Sequence, residues 1–414
     1  MKQWTWFAVV LLAPLVVSAE PPRDEKPAPK VAITADMLQA AEGNNQFALE
    51  LYERLRAEPG NLFFSPYSVS TALAMTQVGA RGETAAQMAK TLHFTLDSKR
   101  LHPAFRDLMQ LHRGGKGTYQ LSVANALWGQ KDFGFLPDFL NATKANYGAG
   151  LHEVDFRKAT EQARRTINAW VEQQTQNKIK DLLQAGDITP DSRLVLTNAI
   201  YFKGAWRDPF RKTATYDEPF HVTAARKVQV PMMHQKKNCG YLERDTFQAI
   251  ALPYEPGDLA MIVLLPKKVD GLAEFEKTLT AAKLKDWLSA MSGSEVIITL
   301  PKFKVTRRVQ LAETLAAMGM PLPFDAGKAD FSGISGSSDR LYIARVIHKA
   351  FVDVNEEGTE AAAATAIDVP KEAAGKGERP QPRVFRADHP FVYVIRDNRS
   401  GSILLIGRLS DPKS

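Results

Sequence analysis

Apolar positions recur with two different periods along this chain, and the change of period predicts its architecture. In the first half the spacing is helical: Thr34 opens a run in which Phe47, Leu51 and Leu55 fall four residues apart. In NLFFSPYSVSTALAMTQVGARGET (61–84), Ser65 before Pro66 is a helix start with proline at the first helical position. Val69, Leu73 and Thr76 then share one face, and Gly79 ends the helix. In the second half, RLVLTNAIYF (193–202) is a nearly continuous apolar run, as expected of a strand covered on both faces. Within 249–266, AIALPY and DLAMIVLLP predict two strands joined at Glu255-Pro256-Gly257. EVIITLPKFKV (295–305) predicts one more strand, and PFVYVIRDNRSGSILLIGRL (390–409) a hairpin turning at Asn398–Gly401. Helices first and strands later, without regular alternation, predict an α+β fold with large antiparallel sheets.

Residues 355–370, NEEGTEAAAATAIDVP, follow neither rule at first reading. Ala361–Ala364 favour a helix and Thr359 is a suitable cap, but no apolar stripe follows and Pro370 stops the run within three turns. So short a helix is marginal in water. EAAGKGERPQPR (372–383) has linker composition; Ile367 and Val369 do not fit one. A period of two accounts for 359–369 better. Thr359, Ala361, Ala363, Thr365, Ile367 and Val369 form one face, and Glu360, Ala362, Ala364, Ala366 and Asp368 the other. This is a half-buried strand whose first residues are small enough to slide between existing strands. Loop insertion into a sheet requires such a segment.

Length suggests two or three domains, yet no internal repeat and no linker between Thr34 and Arg408, apart from 355–383, divides the chain. A single domain over 34–414 is expected. MKQWTWFAVVLLAPLVVSAE begins with Lys2, continues apolar from Phe7 to Val17 and closes on Val17-Ser18-Ala19. That pattern predicts a signal peptide over 1–19, cleavage after Ala19, and a secreted or periplasmic location. The run is too short to span a membrane and contains Pro14. Residues 20–33, EPPRDEKPAPKVAI, read as a proline-rich tether. The one cysteine, Cys239, lies in the polar stretch HQKKNCGY, which excludes an intramolecular disulfide and predicts a passive thiol. A 44% apolar chain of 414 residues has ample material for a core without one. The net charge of +7 is spread over scattered lysines and arginines, the reading of a solvated surface. Neither a nucleic-acid partner nor, after leader cleavage, a membrane is expected.

Catalytic signatures are missing. GGKGT (114–118) lacks the spacing of a phosphate loop, HEVDF (152–156) lacks a second histidine for zinc, and SGISGSSD (332–339) is no nucleophile elbow. No catalytic residue, metal site or cofactor is expected.

Five stretches in consistent order carry a resemblance: NLFFSPYSVSTALAMTQVGARGETAAQM (61–88), LVLTNAIYFKGAWRDPF (194–210), LPKFKV (300–305), IHKAFVDVNEEGTEAAAAT (347–365) and DHPFVYVIRDN (388–398). By these the chain is identified as a member of the serpin (serine protease inhibitor) family over residues 40–412. The resemblance implies helices around large antiparallel sheets, with an exposed reactive-centre loop at about 356–383. It implies a suicide-substrate inhibitor of serine-type, and by extension cysteine, endopeptidases. The target protease forms a 1:1 covalent complex with a monomeric inhibitor when the cleaved loop enters the central sheet.

Residue by residue, Gly358, Thr359, Glu360, Ala361, Ala362, Ala363 and Ala364 match the hinge of inhibitory members. Ser65, Ser68, Asn198 and His348 match the shutter beneath the central sheet; Trp206, Lys302 and Glu356 match the breach where insertion begins. Counting from Glu356 places the scissile bond at Glu372–Ala373, with Lys371 as an alternative; counting back from His389 gives a position near Lys376. Two other readings remain: a non-inhibitory serpin acting as carrier or chaperone, and an exported enzyme using Ser65 as nucleophile with His348 as base. Turnover separates the last from an inhibitor.

Overall fold

Thr34 Oγ1 accepts the Met37 amide at 3.2 Å and so starts the helix Ala35–Leu55, which buries Phe47, Leu51 and Leu55. Ser65 starts the helix Pro66–Gln77 in the same way, its Oγ accepting from the Ser68 amide at 3.0 Å. Every residue from Pro66 to Thr76 is buried, so this helix runs through the interior instead of lying on one face of it. The computed structural model describes residues 31–113, 119–148, 150–336, 340–359 and 381–414.

Among these residues the strands form two sheets. The nine-stranded sheet runs Leu62–Phe64, Ile403–Leu409, Phe391–Asp397, Leu259–Pro266, Phe247–Pro253, Lys227–Glu243, Ser292–Pro301 and Arg383–Arg386, with Thr215–His221 paired beside Lys227–Glu243. The expected hairpin is there, in register from Phe391↔Leu409 to Arg396↔Ile403. The six-stranded sheet runs Phe303–Gln310, Ile343–Asn355, Gly358–Thr359, Leu194–Ala205, Gln120–Gln130 and Leu151–Val154. The sheets are mixed, not purely antiparallel. Ile343–Asn355 lies parallel to Leu194–Ala205, Gln120–Gln130 to Leu151–Val154, and Arg383–Arg386 to Ser292–Pro301. Long excursions of the chain separate each of these pairs, which is what parallel neighbours require.

The stretch 295–305 is two strands. Ser292–Pro301 belongs to the nine-stranded sheet and Phe303–Gln310 to the six-stranded one, with Lys302 between them donating its amide to Pro231 O at 2.9 Å. An alternating pattern reports faces and is blind to a change of sheet.

The main core fills the space between the sheets and helices and takes Leu194, Leu196 and Ile200 from one face of the strand Leu194–Ala205. Val195 and Ala199 from the other face join a second cluster with Trp128 and Ile347. Ile167 and Val171 of the helix Thr160–Gln174, and Leu182, Leu183 and Ile188 after it, cover that cluster. Burial on both faces explains the unbroken apolar run. The segment 176–190 also straps across the front of this sheet. Its carbonyls accept from Lys349 Nζ (Lys180 O, 2.7 Å), Arg308 Nε (Leu182 O, 2.8 Å) and Arg345 Nε (Asp187 O, 3.1 Å).

Candidate functional site

The strands Ile343–Asn355 and Leu194–Ala205 form a parallel seam, in register from Ile343↔Leu194 to Phe351↔Tyr201. Beyond Phe351 they part, and Gly358-Thr359 occupies the gap. Thr359 pairs with Val354 on one side and Gly204 on the other, Gly358 with Asn355 and Ala205. Gly358 has φ +148°, and a Cβ there would collide with the Gly204 carbonyl oxygen, so only glycine turns the chain into the gap. Thr359 is fully buried, its hydroxyl 2.7 Å from Tyr254 Oη.

Trp206 roofs this entrance. Its ring stacks on Tyr254 at 4.5 Å, its Nε1 donates to Asn355 O at 2.9 Å and its amide to Glu357 O at 2.9 Å. Phe210 donates its amide to Glu356 O at 2.8 Å. The Glu356 carboxylate lies 2.9 Å from Lys302 Nζ. Burial raises its pKa, but hydrogen bonds, that of Lys302 first, outweigh burial and hold it below the usual carboxylate range. Lys212 pairs with Glu357 at 2.7 Å. Trp206, Lys302, Glu356, Gly358 and Thr359, drawn from three separate stretches of sequence, thus meet at one end of the seam. Glu360, Ala361–Ala364, Lys371, Glu372, Ala373 and Lys376 lie outside the described residues.

Further down the seam sits a buried polar network. His348 and Asn198 face each other across the parallel pairing, and Asn198 and Asn125 across the next, antiparallel one. Asn198 Oδ1 bonds His348 Nδ1, while its Nδ2 donates to Asn125 Oδ1 and, at 2.6 Å, to Ser68 Oγ. Ser68 Oγ donates to Asn125 Oδ1 at 3.0 Å, and Asn125 Nδ2 returns a bond to Ser68 O at 2.9 Å. Ser65 donates its amide to His348 Nε2 at 3.1 Å and its hydroxyl to Leu404 O at 2.6 Å. The ring therefore carries its proton on Nδ1, and burial depresses its pKa to about 3.

This geometry does not fit a nucleophile and its base. The Ser65 hydroxyl bonds to Leu404 O, not to the imidazole, and both residues are fully buried. What the network can do is hold the seam shut, because a strand entering between His348 and Asn198 must break their bond. Asn125 and Tyr254 are the participants that sequence reading misses. Asn125 leaves one signal, a lone amide in the apolar run VANALW.

A family model described as Serpin (serine protease inhibitor) matches residues 42–412. The leukocyte elastase inhibitor of Homo sapiens is 43% identical over 91% of this chain and 100% of its own length, and that of Bos taurus 44% over the same shares. Among solved structures, maspin is similar at 30% identity and a TM-score of 0.84, covering 92% of this chain and 100% of its own. Serpin48 of the insect Tenebrio molitor is similar at 32% and 0.81, with the same coverage. These relatives correct one expectation. Export to a secreted or periplasmic location, with cleavage after Ala19, is overturned: the leukocyte elastase inhibitors have no signal peptide and are matched over their whole length, while the family match begins at residue 42.

Proposed function

This chain belongs to the serpin family and is an inhibitor of serine proteases; on that premise we propose that it works as a single-use substrate, one inhibitor consumed per protease in a 1:1 covalent complex. The protease serine attacks a carbonyl in the loop between Thr359 and the strand Arg383–Arg386. The peptide C–N bond breaks, the amine leaves with the proton, and the loop residue stays esterified to the serine. Before water hydrolyses that ester, the freed loop zips into the seam from Thr359 downward and carries the protease with it. One observation carries the reading: Gly358-Thr359 already fills the first two places of a strand between Ile343–Asn355 and Leu194–Ala205.

The energetics support it. A dozen or so new strand residues at about 1 kcal/mol net per hydrogen bond release on the order of 10–20 kcal/mol. That matches the whole stability of an ordinary domain, enough to distort a protease. The uncleaved monomer is then metastable, and the shutter network and the strap set its barrier. Within the loop, the count from Glu356 favours Glu372–Ala373 as the scissile bond, with Lys371 and Lys376 as alternatives.

The test is a panel of glutamate-specific, trypsin-like and elastase-like proteases, the last chosen because the relatives are leukocyte elastase inhibitors. A denaturation-resistant band at the summed mass is expected with at least one of them, and the first residue of the released peptide names the bond. Clean cleavage without such a band, for every protease, would overturn the reading in favour of a carrier or chaperone.

A further inference from the structure

Along the strand Lys227–Glu243 successive side chains face opposite sides of the nine-stranded sheet. Gln235 and Lys237 stand opposite Ile298 and Val296 of the strand Ser292–Pro301. Both of those are fully buried, so Lys237 belongs to the covered side, where an apolar residue is expected. Lys236 and Asn238 face the other way, and Lys236 pairs there with Glu295 at 2.9 Å. Among the described residues no carboxylate forms an ion pair with Lys237. A lysine turned inward without a counter-ion carries a cost that calls for a purpose.

Its amine reaches the segment that follows Trp206. Nζ donates to Asp208 O at 3.3 Å and lies 5.3 Å from the centre of the Phe210 ring. Gln235 Nε2 donates to Pro209 O at 2.9 Å, so one strand holds residues 208–210. The same segment grips the root of the loop. The Phe210 amide donates to Glu356 O at 2.8 Å, and the Trp206 amide to Glu357 O at 2.9 Å. Burial is the largest influence on the Lys237 amine and lowers its pKa to about 8. The charged and titratable groups acting on it are Asp208 and Cys239, which raise the value, and Arg207, which lowers it. Arg207 and Asp208 lie on the gripped segment, 3.6 Å from each other. The ammonium form makes the stronger bond to Asp208 O, and it alone is drawn to the face of the ring. The grip is therefore tight below pH 8 and loosens above it.

We propose that Lys237 is a positioning residue for loop insertion: through residues 208–210 it holds Glu356 and Glu357 where Gly358 and Thr359 enter the gap. While that grip lasts, insertion outpaces hydrolysis of the ester. The inference rests on the insertion mechanism proposed above and adds the part that prepares the root of the loop.

The test uses the full chain and whichever protease of the panel is trapped most completely. Inhibitor consumed per protease trapped is read on titration gels at pH 7 and pH 9. About nine in ten Lys237 side chains are charged at the first pH and about one in ten at the second. The native protein should be consumed at least threefold faster per trapped protease at pH 9. Lys237→Met, which keeps the apolar stem, should give the high value at both, and Lys237→Arg, charged throughout, the low value at both. Both variants should keep the native melting temperature. All three proteins meet the same enzyme at each pH, so its own pH dependence cancels. NMR of the protein labelled at lysine Cε should show one amine titrating near pH 8, absent from Lys237→Met. A native profile that Lys237→Met leaves unchanged, or a Lys237 signal titrating at the ordinary lysine pH, would overturn the inference, while covalent bands would still stand for the insertion mechanism. No covalent band with any protease would overturn both.

Discussion

Thr359 is the residue on which the mechanism pivots. It is small, fully buried, and held by Tyr254 at the second position of the gap, after Gly358. In Thr359→Arg the guanidinium would have to enter that position unpaired, which costs several kcal/mol. Insertion then loses its race with hydrolysis. The variant should be cut at the same bond but turned over as substrate, with inhibitor consumed per protease trapped rising more than tenfold on a titration gel. The period of two put Thr359 on the small-residue face of a strand, while Gly358 and the quartet Ser65, Ser68, Asn198 and His348 were pointed out for their roles by the family resemblance and not by any local pattern. Tyr254 was marked by neither, since an aromatic after a strand looks like ordinary core. His348 gives the second prediction at this scale. Its pKa falls from the usual 6.5 to about 3, through burial. Stability from the neutral ring is fully present above pH 6.5 and drains away as pH falls toward 3, because an opened chain accepts a proton that the closed one refuses. Spontaneous loss of inhibitory capacity should therefore accelerate between pH 6.5 and 4, and His348→Gln should flatten that part of the profile.

Among the elements, the helix starts at Thr34 and Ser65 and the hairpin after Phe391 follow local rules and were readable. The strand break at Lys302 and the parallel seam were not, because both depend on which distant segment comes alongside. The strap over the seam was equally hidden, as its clamps are single basic side chains on two different strands. Lys349 and Arg308 grip it from one side of the seam, while Trp170 of the preceding helix packs edge-on against Trp128 on the other. Widening the sheet by one strand, about 4.8 Å, must break one of these attachments. Replacing both Arg308 and Lys349 by alanine removes at least two bonds worth about 1 kcal/mol each. The double variant should lose inhibitory capacity on heating roughly tenfold faster, with the rate followed by residual protease titration.

At the scale of the molecule, the composition promised a large core and the resemblance promised its plan. The mixed character of the sheets came only with the fold. A chain whose stable form contains one more strand than its working form should gain stability when cut. Nicking the loop with a non-target protease is expected to raise the melting temperature by on the order of 20 °C or more, measured calorimetrically against the uncut protein. An unchanged or lowered value would mean that the seam stays closed.

The strands that follow the loop carry a further consequence. Arg383–Arg386 pairs with Ser292–Pro301, and Phe391–Asp397 and Ile403–Leu409 lie among the most deeply buried residues of the nine-stranded sheet. A single scission therefore does not shed the C-terminal piece. It turns one polypeptide into a tight heterodimer whose smaller subunit threads the core of the larger and cannot exchange with its surroundings. On a native column the spent inhibitor should travel as one particle, and only denaturant should reveal it as two chains.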